Sequence, residues 1–124
     1  MADPLQAAKQ LVLAHTAAFD AALLEGSAAA LAVLAGNSAG DYTWRGSHPF
    51  LEQPSAAAAV ETFWEPLLHA MSPLQRRDDI FICGHNDVEG RETEVWTCAM
   101  GHFVGLFDRP FLGIPPTVVQ KRLS

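Results

Sequence analysis

The chain has 124 residues, a length that allows one domain with a single hydrophobic core. Eight Lys and Arg against 14 Asp and Glu give a formal net charge of −6, which argues against a nucleic-acid or anionic-membrane surface. Hydrophobic residues make up 49% of the chain and charged residues 18%; this composition excludes disorder and predicts excess apolar surface for a subunit interface, an apolar pocket or both.

Two helices are predicted at the start of the chain. Apolar positions recur every three or four residues from Leu5 to Ala22, which is typical of one helix face, and the pattern stops at Gly26. We expect Ser27 to cap a second, alanine-rich helix and Gly36 to take the left-handed position at its end.

A short strand is predicted next, at residues 41–45, because apolar and polar residues alternate there. Tyr42 and Trp44 share one side of it and either line a ligand pocket or belong to the core. Asp41, at the start of the strand, is either a base at the mouth of a cavity or an exposed strand-end carboxylate. His48 lies in the loop that follows, where it either contributes to a ligand-gating segment or is simply solvated.

A third helix follows the predicted loop at residues 46–54, with Ser55 as its cap. Pro66 lacks a backbone N–H, so we expect a kink or a restart near Glu65. The apolar positions have helical spacing and predict a face that lies against a sheet. They are Val60, Phe63, Trp64, Leu67, Leu68 and Met71.

A hairpin of two strands is predicted in the second half of the chain. Residues 79–85 indicate a strand, residues 86–90 a turn, and a long strand begins at residue 91 or 92 and ends near residue 107. Gly101 and Gly105 indicate a bulge or bend in it. Neither face of the long strand is polar, so we expect helices on one face and a ligand cavity or another subunit on the other.

Two histidines lie on these apolar faces. His102 shares a face of the long strand with Trp96 and Met100, where a neutral imidazole can donate or accept a proton. The alternative is a histidine that is hydrogen-bonded across the sheet or at a subunit interface. His15 lies on the apolar stripe of the first helix and is interpreted as a core histidine.

The end of the chain predicts one more strand. Residues 108–116 form a loop with a proline pair, and residues 117–123 begin a strand that would lie at a sheet edge or need a partner.

The N-terminus and the cysteines indicate the cellular compartment. Asp3 and Pro4 stand where a secretory signal would have basic residues, so we expect a cytoplasmic protein. Cys83 and Cys98 lack a Cys-x-x-Cys spacing and are predicted to be buried free thiols.

The order of these elements is that of the nuclear-transport-factor-like α+β cone. Four motifs make the match more specific: Phe63-Trp64-x-Pro66-Leu67-Leu68, Arg76-Arg77-x-Asp79-Ile80, Gly101-His102-Phe103-Val104-Gly105 and Leu112-Gly113-Ile114-Pro115-Pro116-Thr117. With them, the chain resembles the SnoaL-like polyketide cyclases, also called ester cyclases. The resemblance implies three N-terminal helices packed on a strongly curved antiparallel sheet around an apolar pocket. It also implies a homodimer through the sheet face, and ring closure by intramolecular aldol condensation without metal or cofactor.

The chain departs from this family after the Pro-Pro-Thr motif. The catalytic acid and histidine of the cyclases lie on strands that follow the motif, whereas residues 118–124 contain no Asp, Glu or His. Val118 also replaces the usual glycine. We therefore expect that the last strands of the cone are missing, and that either catalysis is lost or rearranged or this chain is the front part of a longer protein.

Two functional hypotheses follow. The first is a domain that binds a small apolar carbonyl compound, with cofactor-free cyclase or isomerase chemistry that abstracts a proton alpha to the carbonyl; His102 and Asp41 are its candidate catalytic residues. The second is a non-catalytic ligand-binding or dimerisation domain of the same fold. Neither needs a cofactor, a metal, nucleic acid or a membrane. The predicted pocket residues are Tyr42, Trp44, His48, Phe63, Trp96 and Met100.

Overall fold

The computed structural model describes residues 3–116 and shows an α+β arrangement of helices with two small antiparallel sheets, which confirms the predicted class. The predicted strand at residues 117–123 lies outside the described residues. No helix within residues 3–116 combines the length and the apolar character needed to cross a bilayer. In chain order the elements are α1 (Pro4–Glu25), α2 (Ser27–Gly36), β1 (Trp44–Arg45), β2 (Glu52–Gln53), α3 (Ala56–Ala59), a π turn (Val60–Trp64), α4 (Glu65–Ala70), β3 (Gln75–Asn86) and β4 (Glu94–Val104).

Helix α1 forms where the apolar repeat predicts it. Asp3 caps the helix, since its carboxylate accepts a hydrogen bond from the Leu5 N–H at 3.0 Å. Pro4 occupies the first turn, where backbone N–H groups have no acceptor within the helix, so proline loses no hydrogen bond there. Its buried residues Phe19, Ala22 and Leu23 face the core.

The start and end of α2 differ from the prediction. Gly26 has a φ of 132°, which side-chain-bearing residues rarely adopt, and its carbonyl accepts the first helical bond, from Ala30. Because Gly26 already occupies the cap position, Ser27 lies inside the helix, and the helix has no side-chain cap; the predicted cap is wrong. Gly36 is not left-handed either, since it is the last residue of the helix.

The first two strands form a minimal hairpin. Strand β1 is shorter than the predicted 41–45, although the alternation holds because Tyr42 and Trp44 are partly buried between exposed neighbours. Its partner β2 lies inside the segment predicted to be a loop. Arg45 pairs with Glu52, and their side chains are 3.5 Å apart.

The third predicted helix is continuous over α3, the π turn and α4. Ser55 caps it as predicted, because its hydroxyl accepts a hydrogen bond from the Ala58 N–H. In the π turn the Glu65 N–H donates to the Val60 carbonyl, five residues earlier. The wider turn precedes Pro66, which has no N–H to donate to an α-helical bond. The predicted restart near Glu65 is confirmed, since α4 begins there.

Strands β3 and β4 form the predicted hairpin with different limits. The first strand begins at Gln75 rather than at residue 79, and the second ends at Val104 rather than near residue 107. The register shifts between Asp78 and Ile80, directly opposite Gly101. The extra residue of this bulge is Asp79 of β3, so the irregularity lies opposite Gly101 rather than in the long strand itself, and Gly105 lies beyond the end of that strand.

Cross-strand pairing divides the hairpin into two faces. The inner face carries Arg76 and Phe103 and packs on the helical layer through α1. On the outer face, beside the polar side chains of Arg77 and His102, lies a set of apolar side chains that are between 44% and 59% exposed. Its large members are Ile80, Ile82, Trp96, Met100 and Val104. Cys98 is on the outer face and exposed, so its predicted burial is wrong; Cys83 is partly buried.

Gly101 is the position at which the bulge tolerates no side chain. A Cβ there would collide with the Arg77 carbonyl oxygen and lie 2.9 Å from the Asp78 Cα. We therefore expect Gly101→Ala to lower the free energy of unfolding by about 1–3 kcal/mol, because the strands would have to separate. Urea unfolding followed by tryptophan fluorescence measures this change.

Gly84→Ala is the matched control in the same hairpin, since a Cβ at Gly84 meets nothing within 4 Å. It should leave the unfolding midpoint almost unchanged. Equal effects of the two substitutions would contradict the bulge geometry.

Candidate ligand site

A cavity of about 180 Å³ lies where α1, α2, β1 and β3 meet. It is here called the aromatic chamber. A cavity of about 150 Å³ in another protein is large enough for benzene, so the chamber has room for one substituted ring. Its walls are His15, Thr16, Phe19, Leu34, Tyr42, Trp44, Trp64 and Arg76.

The aromatic walls are fixed by contacts with one another. Trp44 stacks on Phe63, with 5.2 Å between ring centroids, and Phe63 meets Trp64 edge to face at 4.8 Å. Trp64 in turn meets Phe19 edge to face at 5.0 Å. Such pairs each contribute about 0.5–1.5 kcal/mol beyond the burial of their area, so the rings keep their positions.

His15 places a hydrogen-bond donor on the chamber wall. The Asn37 side-chain amide nitrogen lies 3.1 Å from His15 Nδ1, and since an amide N–H can only donate, Nδ1 accepts. A neutral His15 therefore carries its proton on Nε2. The ring also stacks on Phe19, with 6.2 Å between centroids.

Tyr42 supplies a second donor. Burial raises the pKa of the Tyr42 phenol, because desolvation disfavours the phenolate. The group therefore stays protonated throughout the physiological range and can donate its O–H to a ligand.

Arg76 also borders the chamber, but its charge is already balanced. Its Nε–H group donates to both carboxylate oxygens of Asp20, at 3.0 and 3.1 Å, and both side chains are largely buried. The guanidinium carbon lies 4.9 Å from the centre of the Phe103 ring. The Arg76 charge is thus balanced, which favours a neutral ligand over an anion.

A second cavity adjoins the chamber. It is an open groove of about 330 Å³ on α1, here called the apolar groove, and it is lined by Leu11, Val12, Ala14, His15 and Asn37. His15 lines both cavities. A further groove of about 380 Å³ lies around Trp96 on the outer face of the hairpin.

The structure brings together only part of the predicted pocket. Tyr42 and Trp44 line the chamber, and Phe63 supports it from behind Trp44. Trp96 and Met100 lie on the outer face, with the hairpin between them and the chamber. His48 is exposed in the loop between β1 and β2.

The two candidate catalytic residues are not brought together either. The His102 side chain is 54% exposed, and its Nδ1 lies 3.3 Å from a carboxylate oxygen of Asp79, the residue at the bulge. Asp41 is exposed immediately before Tyr42. Their catalytic roles stay predictions. Within residues 3–116, no three His, Cys, Asp or Glu side chains are close enough together to hold a metal ion.

Six chamber residues were not among the predicted pocket residues: His15, Thr16, Phe19, Leu34, Trp64 and Arg76. His15 was assigned to the core, although a polar side chain four residues before Phe19 on an apolar stripe is a signal for a cavity wall. From the sequence, Arg76 is assigned only to the Arg76-Arg77-x-Asp79-Ile80 motif. Its partner, Asp20, is 56 residues away in the sequence, and no local pattern indicates that pairing.

Comparison of the chain with family models, with curated proteins and with solved structures finds no match. The function is therefore inferred from the chamber and from the sequence motifs.

The raised pKa of Tyr42 can be tested directly, because Tyr42 is the only tyrosine of the chain. We expect the tyrosinate absorbance of the folded protein to appear at a higher pH than that of the urea-unfolded protein, which should titrate near pH 10. Since the unfolded chain loses this proton first, stability should fall as the pH rises from about 10 to the folded pKa.

Tyr42→Phe is the control for the stability measurement. It keeps the ring and removes the titrating group, so its stability should fall less over the same pH range. Identical absorbance midpoints for the folded and unfolded protein would contradict the burial of the phenol.

Proposed function

We propose that this chain is a SnoaL-like domain that binds a small, largely apolar carbonyl compound in the aromatic chamber. The observation that carries the proposal is the composition of the chamber walls. Aromatic rings line a half-open space for one ring, and the wall groups His15 and Tyr42 carry hydrogen-bond donors.

A carbonyl group fits these donors better than a charged group does. Its oxygen accepts hydrogen bonds from His15 Nε2–H or from the Tyr42 hydroxyl, and such bonds are stronger in apolar surroundings than in water. A carboxylate would have to be desolvated there, while the nearest cation, Arg76, is already paired with Asp20. The ring of the ligand would rest against Trp44 and Trp64.

The same donors support a cofactor-free reaction. Hydrogen bonds to a carbonyl oxygen stabilise the enolate that forms when a proton is removed from the neighbouring carbon. We propose Asp41 as the base on the strength of its place in the sequence next to Tyr42; its side chain is exposed and is not one of the chamber walls. His102 lies on the opposite face of the hairpin, so the reaction in the chamber does not use it.

The cone-shaped fold belongs to this proposal. It is supported by the packing of α1 on one face of the hairpin and by the bulge at Asp79, which bends a strand. It is also supported by the motif set, which spans the π turn, the start of β3, the end of β4 and the loop that follows it.

Acetophenone and ethylbenzene, a pair that differs in the carbonyl oxygen, test the proposal. We expect acetophenone to bind with a Kd of about 1 mM, as suits a ligand of nine heavy atoms. Tyr42→Phe should weaken acetophenone about 2- to 10-fold and leave ethylbenzene unchanged, because only the ketone loses a hydrogen bond. Ligand-observed NMR measures both affinities.

The same samples in deuterated water report exchange of the acetophenone methyl protons. Exchange should exceed the buffer rate and should be lost in Asp41→Asn, with His102→Gln as the control that retains it. Absence of acetophenone binding would overturn the proposal, whereas binding without exchange would leave a non-catalytic binding domain.

We also propose a second function, dimerisation through the outer face of the hairpin, because large apolar side chains are exposed together there. We expect a dimer in sedimentation velocity at micromolar concentration. Met100→Ser should shift it towards monomer, whereas Leu24→Ser, which changes an exposed residue of α1, should not. A monomeric wild-type protein at high concentration would contradict this function.

A further inference from the structure

We infer that the aromatic chamber and the apolar groove form one elongated site, whose ligand is an aryl ketone with an unbranched alkyl chain. The inference rests on the proposed function and adds to it the shape and chemical class of the ligand. Its basis is that the two cavities share His15, so a molecule that occupies the chamber can continue into the groove.

The groove has the surface that an alkyl chain needs. Leu11, Val12 and Ala14 supply apolar side chains from one turn of α1, and the lining residues of the groove include no Asp, Glu, Lys or Arg. Leu11 is 73% exposed, the highest value among the large apolar side chains of residues 3–116. Covering it removes apolar surface from water without desolvating a charge.

The order of groups along the site sets the order of groups in the ligand. The chamber offers aromatic walls, the junction offers the His15 imidazole with its Asn37 partner, and the groove offers aliphatic side chains. A ring, a carbonyl and an alkyl chain match these three zones in sequence. The polar group belongs in the middle because His15 is the wall residue common to both cavities.

The two volumes agree with this division. The chamber holds about 180 Å³, which is enough for one ring, whereas the groove of about 330 Å³ is the larger space. A ligand of ordinary size therefore has to place most of its atoms outside the chamber. A linear chain along α1 does so without disturbing the rings around Trp64.

The test is a chain-length series of phenyl ketones: acetophenone, butyrophenone and hexanophenone. We expect the affinity to rise about two- to fourfold for each added methylene, the upper value corresponding to complete burial. Leu11→Gln should remove most of this gain and leave acetophenone binding unchanged. Leu13→Gln is the matched control, since Leu13 is an exposed leucine of the same helix outside the groove lining.

A second variant tests the path itself. Ala14→Phe places a ring in the groove from an exposed position, so it should exclude hexanophenone and spare acetophenone. Ligand-observed NMR measures all affinities, and circular dichroism verifies that each variant is folded.

The outcomes separate the two proposals. Acetophenone binding with a chain-length gain that Leu11→Gln reduces and Leu13→Gln retains would support the elongated site. Acetophenone binding without a chain-length gain, or with the same gain in both variants, would overturn the elongated site and leave the proposed function intact. If Leu11→Gln and Ala14→Phe both bound hexanophenone as tightly as the wild-type protein does, the elongated site alone would be overturned. If neither acetophenone nor hexanophenone bound to the wild-type protein, both proposals would be overturned.

Discussion

The contact of Trp64 with three other aromatic rings is the interaction on which the rest of the structure depends. Trp64 meets Phe19 of α1, Phe63 of its own π turn and Phe103 of β4, with centroid distances between 4.8 and 5.5 Å. One buried side chain thus joins the first helix, the third helical segment and the hairpin. A two-stranded hairpin is marginal by itself in water, so its attachment through Phe103 is what holds the inner face against the helices.

The chamber is a consequence of this arrangement. Trp64 and Phe19 meet edge to face at 5.0 Å and together form one wall of the space. Trp44 closes the space on one side because it stacks on Phe63 rather than entering the core. The Arg76–Asp20 pair closes it on another side, and since the charges balance each other, the walls attract a dipole more than an ion.

Much of the fold was predictable from the sequence, because periodicity reports local structure well. The helix after Pro4, the capped helix after Ser55 and the hairpin follow from spacing alone. The site was predictable only in part. Alternation in a strand shows which residues share a face, but it does not show which face meets the helices when both are apolar; Trp96 and Met100 were therefore placed in a pocket from which the hairpin separates them.

The π turn and the bulge explain why predictions from helical spacing and strand alternation lose accuracy in this chain. Each inserts one residue into a regular repeat, so the faces to which side chains point change at Val60–Trp64 and again at Asp79.

Ligand binding in the chamber is linked to the stability of the hairpin through Arg76. This residue borders the chamber and precedes the bulge on β3, and a ligand against it would contact both the hairpin and α1. A ligand bound to this folded arrangement alone stabilises it in proportion to the logarithm of its concentration above Kd. Occupancy of the chamber would therefore strengthen the attachment that the hairpin otherwise owes to Phe103 and to the Arg76–Asp20 pair.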